Sequence, residues 1–348
     1  MTKKNLTVAV TGLNNIDSPG PGIPVIRALK ESAKFDVRII GLSYESLEPG
    51  LYMHDLVDKS YQIPMPPAGS SVLYDRLEYI HAQEQIDVII PNFDSELHNF
   101  IRITPQLKQL GIATFLPSQE LFESRHKSVL DEFGKENGVS VPKSKMITSI
   151  ADLRDLDEEF TYPLVIKGKF YEAMIASNLE QAINYFYKIS AKWGLPIIVQ
   201  EYISGIEVNV TALGDGTGRC IGAVPMRKLT ITDKGKAWAG IVLDDDELID
   251  ISRRIVEKSK WRGGCELEYI KSPKGEYYLL EMNPRFPAWV YLAVGCGQNH
   301  PEALLQMALG ERVEPFESFT QGKLFVRYSY DMIVDIAEFE KISTLGEL

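Results

Sequence analysis

The stretch "LLEMNPRF", residues 279–286, is an apolar run interrupted at every second position by Glu281, Asn283 and Arg285. Side chains alternate faces along a strand with period two, so these three project to one side, in a row. A carboxylate, an amide oxygen and a guanidinium so placed can hold a metal ion and an anionic group. An ordinary solvated strand end has the same pattern. The preceding run, "GGCELEYI", carries Glu268, and "KSPKG" between the two predicts a turn that lays the strands side by side, with Glu268 across from Glu281. Two carboxylates and the Asn283 amide oxygen are an oxygen set suited to Mg2+, which keeps waters and binds through one or two carboxylates plus phosphates. Arg285 extends the row and can grip phosphate or carboxylate with two donors. Glu268 alone reads as solvated; four such residues on one hairpin favour the binding site.

Cations elsewhere suggest an anionic ligand. Lys167 closes the apolar strand "YPLVIK" and must reach toward solvent or an anion. Lys127 follows "SRH" at a helix start, where a solvated lysine is the default. In "VQEYISGIE", Glu201 ends an apolar strand and Tyr202 and Ile203 lead into a turn at Ser204 and Gly205. Such a segment can offer backbone N–H and C=O groups to a base edge while Ile203 packs on the ring, and Glu207 can accept from ribose hydroxyls. Each of these residues, taken singly, is better explained structurally. Arg227 and Lys228, after "GAVPM", face the same cleft or solvent.

These residues need a scaffold. "NLTVAVTG", "FDVRIIGLS" and "DVIIPNF" read as strands, separated by helices opening at "GIPVIRALKES" and "YDRLEYIHAQEQI"; "QLKQLGIATFL" closes a further helix and strand. Alternating strands and helices predict a parallel sheet covered on its faces, a Rossmann-like domain over residues 1–117. Residues 118–200 read as helix, turn, helix, then strand, helix, strand. Residues 201–315 read as two hairpins with helices, one turning at "GDGTG" and one at "SPKG". The segment 316–348 begins with a β-rich run, "KLFVRYSYDMIV", expected as an edge strand or an interface cover.

In that order, Lys127, Lys167, "QEYISGIE", Glu268 and "EMNPR" resemble the ATP-grasp superfamily of carboxylate–amine ligases, most strongly the arm that includes carbamoyl-phosphate synthetase large subunits and biotin carboxylase. The likeness extends from the N-terminus to about residue 315, and its specific part is "GGCELEY…LLEMNPRF". It implies an α/β and α+β fold: a Rossmann-like pre-ATP-grasp domain, a small lid lobe (118–200) and a large lobe with the metal site (201–315). It also implies residue roles. Lys127 and Lys167 would touch the ATP phosphates; Glu201, Tyr202 and Ile203 would form the adenine hinge; Glu207 would hold the ribose. Glu268, Glu281 and Asn283 would bind Mg2+, or Mn2+ in its place, and Arg285 would stabilise an acyl phosphate or hold the substrate carboxylate. The chemistry implied is transfer of the γ-phosphoryl group to a small carboxylic acid, then attack by an amine. Phosphoryl transfer asks the protein for positioning and charge neutralisation, which suits a motif of metal ligands and cations without a nucleophile. One stretch departs from the family. Where many members carry a Gly/Ser-rich loop over the triphosphate, this chain has "IKGKFYEAMIASN", with the single glycine Gly168. Lys169 would then substitute for backbone amides, or Lys234 and Lys236 in "TITDKGKAWAG" would close the site. Lys228 is placed with the nucleotide-binding cations.

Composition narrows the partners. The chain has 348 residues, 45% hydrophobic and 24% charged, with a formal net charge of -11, which disfavours nucleic acid and anionic membranes. Its three cysteines, Cys220, Cys265 and Cys296, form no CxxC pair, which fits a reducing cytoplasm and core packing for Cys220 and Cys265. The substrates should meet the C-terminal edge of the parallel strands, where the loops hold Asn14, Asn15, Asp17, Asp94 and Glu96. An acidic pair there could attract an amine, although helix capping is the better role for Asp94. Trp289 and Tyr291 read as buried aromatics. A homodimer is expected by analogy with the superfamily. The other readings are a carbamate or carboxyl kinase like the carbamoyl-phosphate synthetase halves, and a nucleotide binder without catalysis.

Overall fold

The computed structural model describes residues 3–16, 18–126, 129–156, 160–168 and 172–348. Lys127, Lys169 and Asp17 lie outside the described residues. Two compact units emerge, one of Met1–Phe122, Asn209–Leu267 and Asn283–Leu348, the other of Glu123–Val208 and Glu268–Met282.

The first unit opens with β1 (Lys4–Val10) and a two-stranded ribbon, β2 (Asn15–Ile16) and β3 (Ser18–Pro19). There follow α1 (Gly22–Lys30), β4 (Phe35–Ser43), β5 (Lys59–Gln62), α2 (Ser70–Glu84), β6 (Val88–Ile90) and α3 (Asp94–Gln109). The strands form a parallel sheet in the order β5-β4-β1-β6. Val8, Ala9 and Val10 are fully buried in succession, which requires cover on both faces of the sheet. One cover is α1, whose Val25, Ile26, Ala28 and Leu29 recur at helical spacing and are buried. At the C-terminal end of β1 the chain turns at Gly12, φ +83°, where an added Cβ would lie 2.9 Å from Gly22 N and 3.0 Å from Asn92 Cβ. Only glycine admits both that backbone angle and that approach.

The fold departs from two of these expectations. The run after α3 forms no full strand: Ala113 makes a single parallel bridge to Val88, because the chain pairs through just two backbone bonds before leaving. Asp94 does not cap α3. It is the first residue of the helix, and Glu96 accepts the Phe93 N–H at 3.0 Å instead.

After a short α4 (Gln119–Ser124), the second unit contains α5 (Leu130–Asn137), β7 (Ser144–Ile147), α6 (Ile150–Arg154), β8 (Leu164–Gly168), β9 (Ala173–Ala176), α7 (Leu179–Trp193) and β10 (Ile197–Glu201). Its four strands are antiparallel, in the order β7-β10-β8-β9. Ile147, Leu164, Ile166, Phe186, Ile189, Ile197 and Val199 form its core. Asn178 caps α7 by accepting from Gln181 N at 3.0 Å.

The remaining elements are β11 (Ile206–Asp215), β12 (Cys220–Ile231), β13 (Ala237–Val242), α8 (Asp246–Lys258), β14 (Arg262–Lys271), β15 (Tyr277–Asn283), α9 (Tyr291–Gly295), α10 (His300–Ala308), β16 (Leu324–Val326) and α11 (Ile336–Leu345). A six-stranded sheet runs β15-β14-β11-β12-β13-β16. Both hairpins expected from the sequence are present, and "SPKG" is the second turn, closed by Ser272 N to Glu276 O at 2.8 Å. The tail supplies the edge strand, β16, only three residues long, and then returns to the parallel sheet, where Leu348 N bonds Ser60 O at 2.8 Å. All three cysteines are buried and free.

Candidate functional site

In the second unit, Lys167 ends an apolar strand and is nonetheless 8% exposed. Its Nζ donates to Gln200 Oε1 at 2.9 Å; Gln200, on β10, is itself 5% exposed. The pairing Lys167 with Ile198 makes Gln200 its diagonal neighbour on the same sheet face. The lysine is therefore held at a defined place rather than waving in solvent. Between β8 and β9 only residues 169–172 intervene, and Gly168 N bonds Glu172 O at 3.1 Å.

Past Glu201 the strand ends. The Glu201 carboxylate accepts from Lys143 N at 3.3 Å, and its own N–H bonds Lys143 O at 2.9 Å. Tyr202 is exposed, Ile203 half-buried and Glu207 exposed. Gly205 lies against the β14 backbone: an added Cβ would stand 2.3 Å from Lys271 O. Glycine thus fixes where the Glu201–Ile203 segment runs. Glu268 and Glu281 are half-buried on β14 and β15.

The first unit holds a polar cluster whose centre is absent from the sequence motif. Its centre is Glu266, 6% exposed. Oε1 accepts from Trp289 Nε1 at 2.8 Å and Asn209 Nδ2 at 3.1 Å. Oε2 accepts from Arg285 Nη1 at 3.0 Å and Asn283 Nδ2 at 3.3 Å. Arg285 Nε also donates to Asp94 Oδ2 at 3.1 Å, so the guanidinium spans two carboxylates. Asn283 and Arg285, two of the three polar residues of "EMNPR", thus converge on one buried anion. Trp289, expected as a buried aromatic, is buried and also supplies a donor. Arg327 belongs to the same region. Its Nη2 donates to Ala288 O at 2.8 Å, its Nη1 is buried without a hydrogen-bond partner, and burial lowers its pKa to about 10. Two signals in the sequence could have found this cluster. Glu266 stands two residues before Glu268, on the same strand face, and Arg327 interrupts the apolar run "LFVRYSY".

The strand-end loops of the parallel sheet form a second polar group. Glu96 is 1% exposed and accepts from Thr11 Oγ1 at 2.5 Å, from the Tyr44 hydroxyl, and from Asn92 N at 2.8 Å. Burial raises the Glu96 and Tyr44 pKa values. Glu96 is therefore a structural anchor, while Asp94 alone of that pair reaches Arg285. Asn15 is exposed and Asn14 half-buried. Lys228 Nζ donates to Gly235 O at 3.2 Å in the turn between β12 and β13. Tyr291 is bonded to Glu31 through its hydroxyl, and the Arg27 guanidinium lies 3.9 Å from its ring centre.

Among the described residues no three His, Cys, Asp or Glu side chains are grouped to hold a metal. The set expected from the sequence is two carboxylates and one amide. Its third member, Asn283, donates its amide nitrogen to Glu266.

Residues 195–329 match the family described as "ATP-grasp in the biosynthetic pathway with Ter operon". Nearly the whole chain superposes on the biotin carboxylase domain dimer of 2-oxoglutarate carboxylase from Hydrogenobacter thermophilus, solved with MgADP, ADP and bicarbonate. The TM-score is 0.70 at 18% identity, covering 91% of this chain and 73% of that one. This is an ATP-grasp fold. The L-amino acid ligase of Bacillus licheniformis shares it, with a TM-score of 0.65 at 16% identity over 90% of this chain and 76% of that chain. In sequence, the N-terminal section of the carbamoyl phosphate synthase large chain from Methanopyrus kandleri is 21% identical over 271 residues, 71% of this chain and 47% of that protein. The chain spans less than half the length of the curated relatives it matches. The resemblance found in "EMNPR" and its upstream hairpin, and the mixed α/β fold class, are both upheld by these matches.

Proposed function

We propose that the protein is an ATP-dependent ligase that activates a small carboxylic acid as an acyl phosphate and joins it to an amine. The observation that carries this reading is the seating of Asn283 and Arg285 on the buried Glu266, at the C-terminal end of β15. The substrate carboxylate oxygen attacks the γ-phosphorus of ATP, and the bond to the ADP oxygen breaks. The amine lone pair then attacks the acyl carbon, inorganic phosphate leaves, and the nitrogen loses a proton. No protein nucleophile is required. Lys167, held by Gln200, would neutralise phosphate charge, with Lys127, Lys169 and Lys228 as further cations. Glu201, Tyr202 and Ile203 would meet the adenine and Glu207 the ribose. Glu268, Glu281 and Asn283 would hold Mg2+ or Mn2+, which supplies charge neutralisation at the phosphates. Arg285 would stabilise the transferred group. The domain limits 1–117, 118–200, 201–315 and 316–348 belong to the same proposal.

A second reading, phosphorylation of a carbamate or carboxylate without amide formation, is favoured by the carbamoyl phosphate synthase relatives. We place the enzyme in the cytoplasm, supported by three free buried cysteines, and note that no helix among the described residues is long and apolar enough to cross a membrane. A homodimer is proposed with it. The related biotin carboxylase domain is described as a dimer, and the edge of this chain's large sheet exposes Leu324, Val326, Tyr328 and Tyr330.

The test is ADP release from Mg-ATP against pools of amino acids and small carboxylic acids, with hydroxylamine present to trap acyl phosphates as hydroxamates. ADP together with hydroxamate is expected, and Glu281→Gln should abolish both. ADP without hydroxamate would favour the second reading. Turnover surviving in Glu281→Gln would remove that residue from the metal set.

A further inference from the structure

Glu96 gathers the ends of three parallel strands. It accepts from Thr11 Oγ1 after β1, from the Tyr44 hydroxyl after β4, and from Asn92 N and Phe93 N after β6. Tyr44 also holds a second carboxyl. Its N–H donates to Glu48 Oε1 at 2.8 Å, and the Glu45 N–H reaches the same oxygen at 3.4 Å. The segment 44–48 is thereby folded back on itself. The turn Pro49–Tyr52 follows, where Gly50 N bonds Leu13 O at 3.1 Å. One tyrosine thus carries two buried carboxyls, Glu48 through its backbone and Glu96 through its ring.

Glu48 is poorly provided for as an anion. Both donors fall on Oε1, while Oε2 is buried and has no hydrogen-bond partner among the described residues. A buried ion with one oxygen bare costs far more than a neutral acid in the same place. The titratable groups against it are Tyr44 and Glu45 of its own segment and Glu96 of α3, and both of those carboxyls disfavour a further negative charge. The loop after β1 meets the segment through Leu13, which carries no charge. Burial and these neighbours hold the Glu48 pKa at about 7, whereas in water the side chain is an ordinary carboxylate.

We propose that the segment Tyr44–Tyr52 is a proton-operated clasp on the C-terminal edge of the parallel sheet, seated while Glu48 is a neutral acid and released when it ionises. That edge is where α/β sheets take their ligands, so the clasp makes access to it depend on pH. It does not rest on the ligase reading and uses none of the residues assigned to nucleotide or metal.

The experiment is hydrogen exchange of the full chain, followed by mass spectrometry at pH 6 and pH 8 and corrected for the intrinsic exchange rate at each pH. A Glu48 that titrates at about 7 when seated and at the ordinary 4.5 when released makes the segment about tenfold easier to open at pH 8 than at pH 6. Peptides covering residues 44–52 should therefore lose about tenfold in protection, and peptides of β1 should keep theirs. Glu48→Gln mimics the neutral acid and should hold the segment equally at both pH values. Unchanged protection in the wild type overturns the clasp. So does a loss that persists in Glu48→Gln, which would put the titration elsewhere, or a loss shared by β1, which would make the opening global. Should Glu48→Gln fail to fold, Tyr44→Phe decides. It cuts the bond to Glu96 and leaves Glu48 in place, so protection over 44–52 should fall at both pH values while β1 keeps its own; unchanged protection overturns the inference.

Discussion

Glu48 is 6% exposed, and its carboxylate accepts from Tyr44 N at 2.8 Å. Burial pushes its pKa up to about 7, against backbone hydrogen bonds from Tyr44 and Glu45 that lower it and the Glu96 charge that raises it further. The unfolded chain releases this proton near the ordinary value of 4.5, and the folded chain holds it to about 7. Between those values the folded state binds more protons, so the stabilisation is complete below the lower value and lost as pH rises through the upper one. The shift corresponds to roughly 3 kcal/mol. Glu48→Gln is expected to remove most of this slope in urea unfolding followed from pH 5 to pH 8, and an unchanged slope would place the titration elsewhere. His300 works in the opposite sense. Burial lowers its pKa to about 3, so its contribution is lost as pH falls below the ordinary histidine value.

Elements carry the next prediction. The segment Glu201–Ile203 is aimed by a turn that has no room for a side chain, since Gly205 abuts Lys271 O and Ile270 Cγ2. Gly205→Ala forces β11 away from β14 or strains the turn. The expected loss is about 1–3 kcal/mol, read from urea midpoints, together with weaker ADP binding because the proposed adenine segment shifts with the turn. Unchanged ADP affinity despite lost stability would separate the turn from nucleotide recognition. The same scale explains why Lys167 is not an ordinary surface lysine. The antiparallel register of β8 and β10 puts Gln200 beside it, a relation between residues 33 positions apart.

For the whole molecule, the division into two compact units predicts unfolding that is not two-state. Trp261, fully buried, lies in the first unit with Trp238 and Trp289, and only Trp193 reports on the second. In a Trp193→Phe chain, intrinsic fluorescence should follow the first unit while far-ultraviolet circular dichroism follows both. The two urea midpoints are expected to differ; coincident curves would mean that the units unfold as one. The formal charge of -11 also predicts no measurable binding to duplex DNA at physiological salt.

The amino-acid sequence alone determined the elements and their order. The alternation of strand and helix over the first hundred residues, the two hairpin turns, the burial of Cys220 and Cys265 and the polar row Glu281, Asn283, Arg285 all follow from short-range periodicity and turn chemistry, which act within a few residues. The family resemblance was legible for the same reason, because its specific signal sits in one hairpin. Tertiary structure decided which residues share partners. The four donors on Glu266 come from positions 209, 283, 285 and 289, and Asp94 reaches Arg285 from 191 residues away. Asp94 was expected as a helix cap and became an arginine partner, while Glu96, two residues on, took the capping bond. Local rules rank a residue's intrinsic preferences. They do not contain the burial and charge of groups that only folding brings near, and those terms made Glu266 the centre of its cluster.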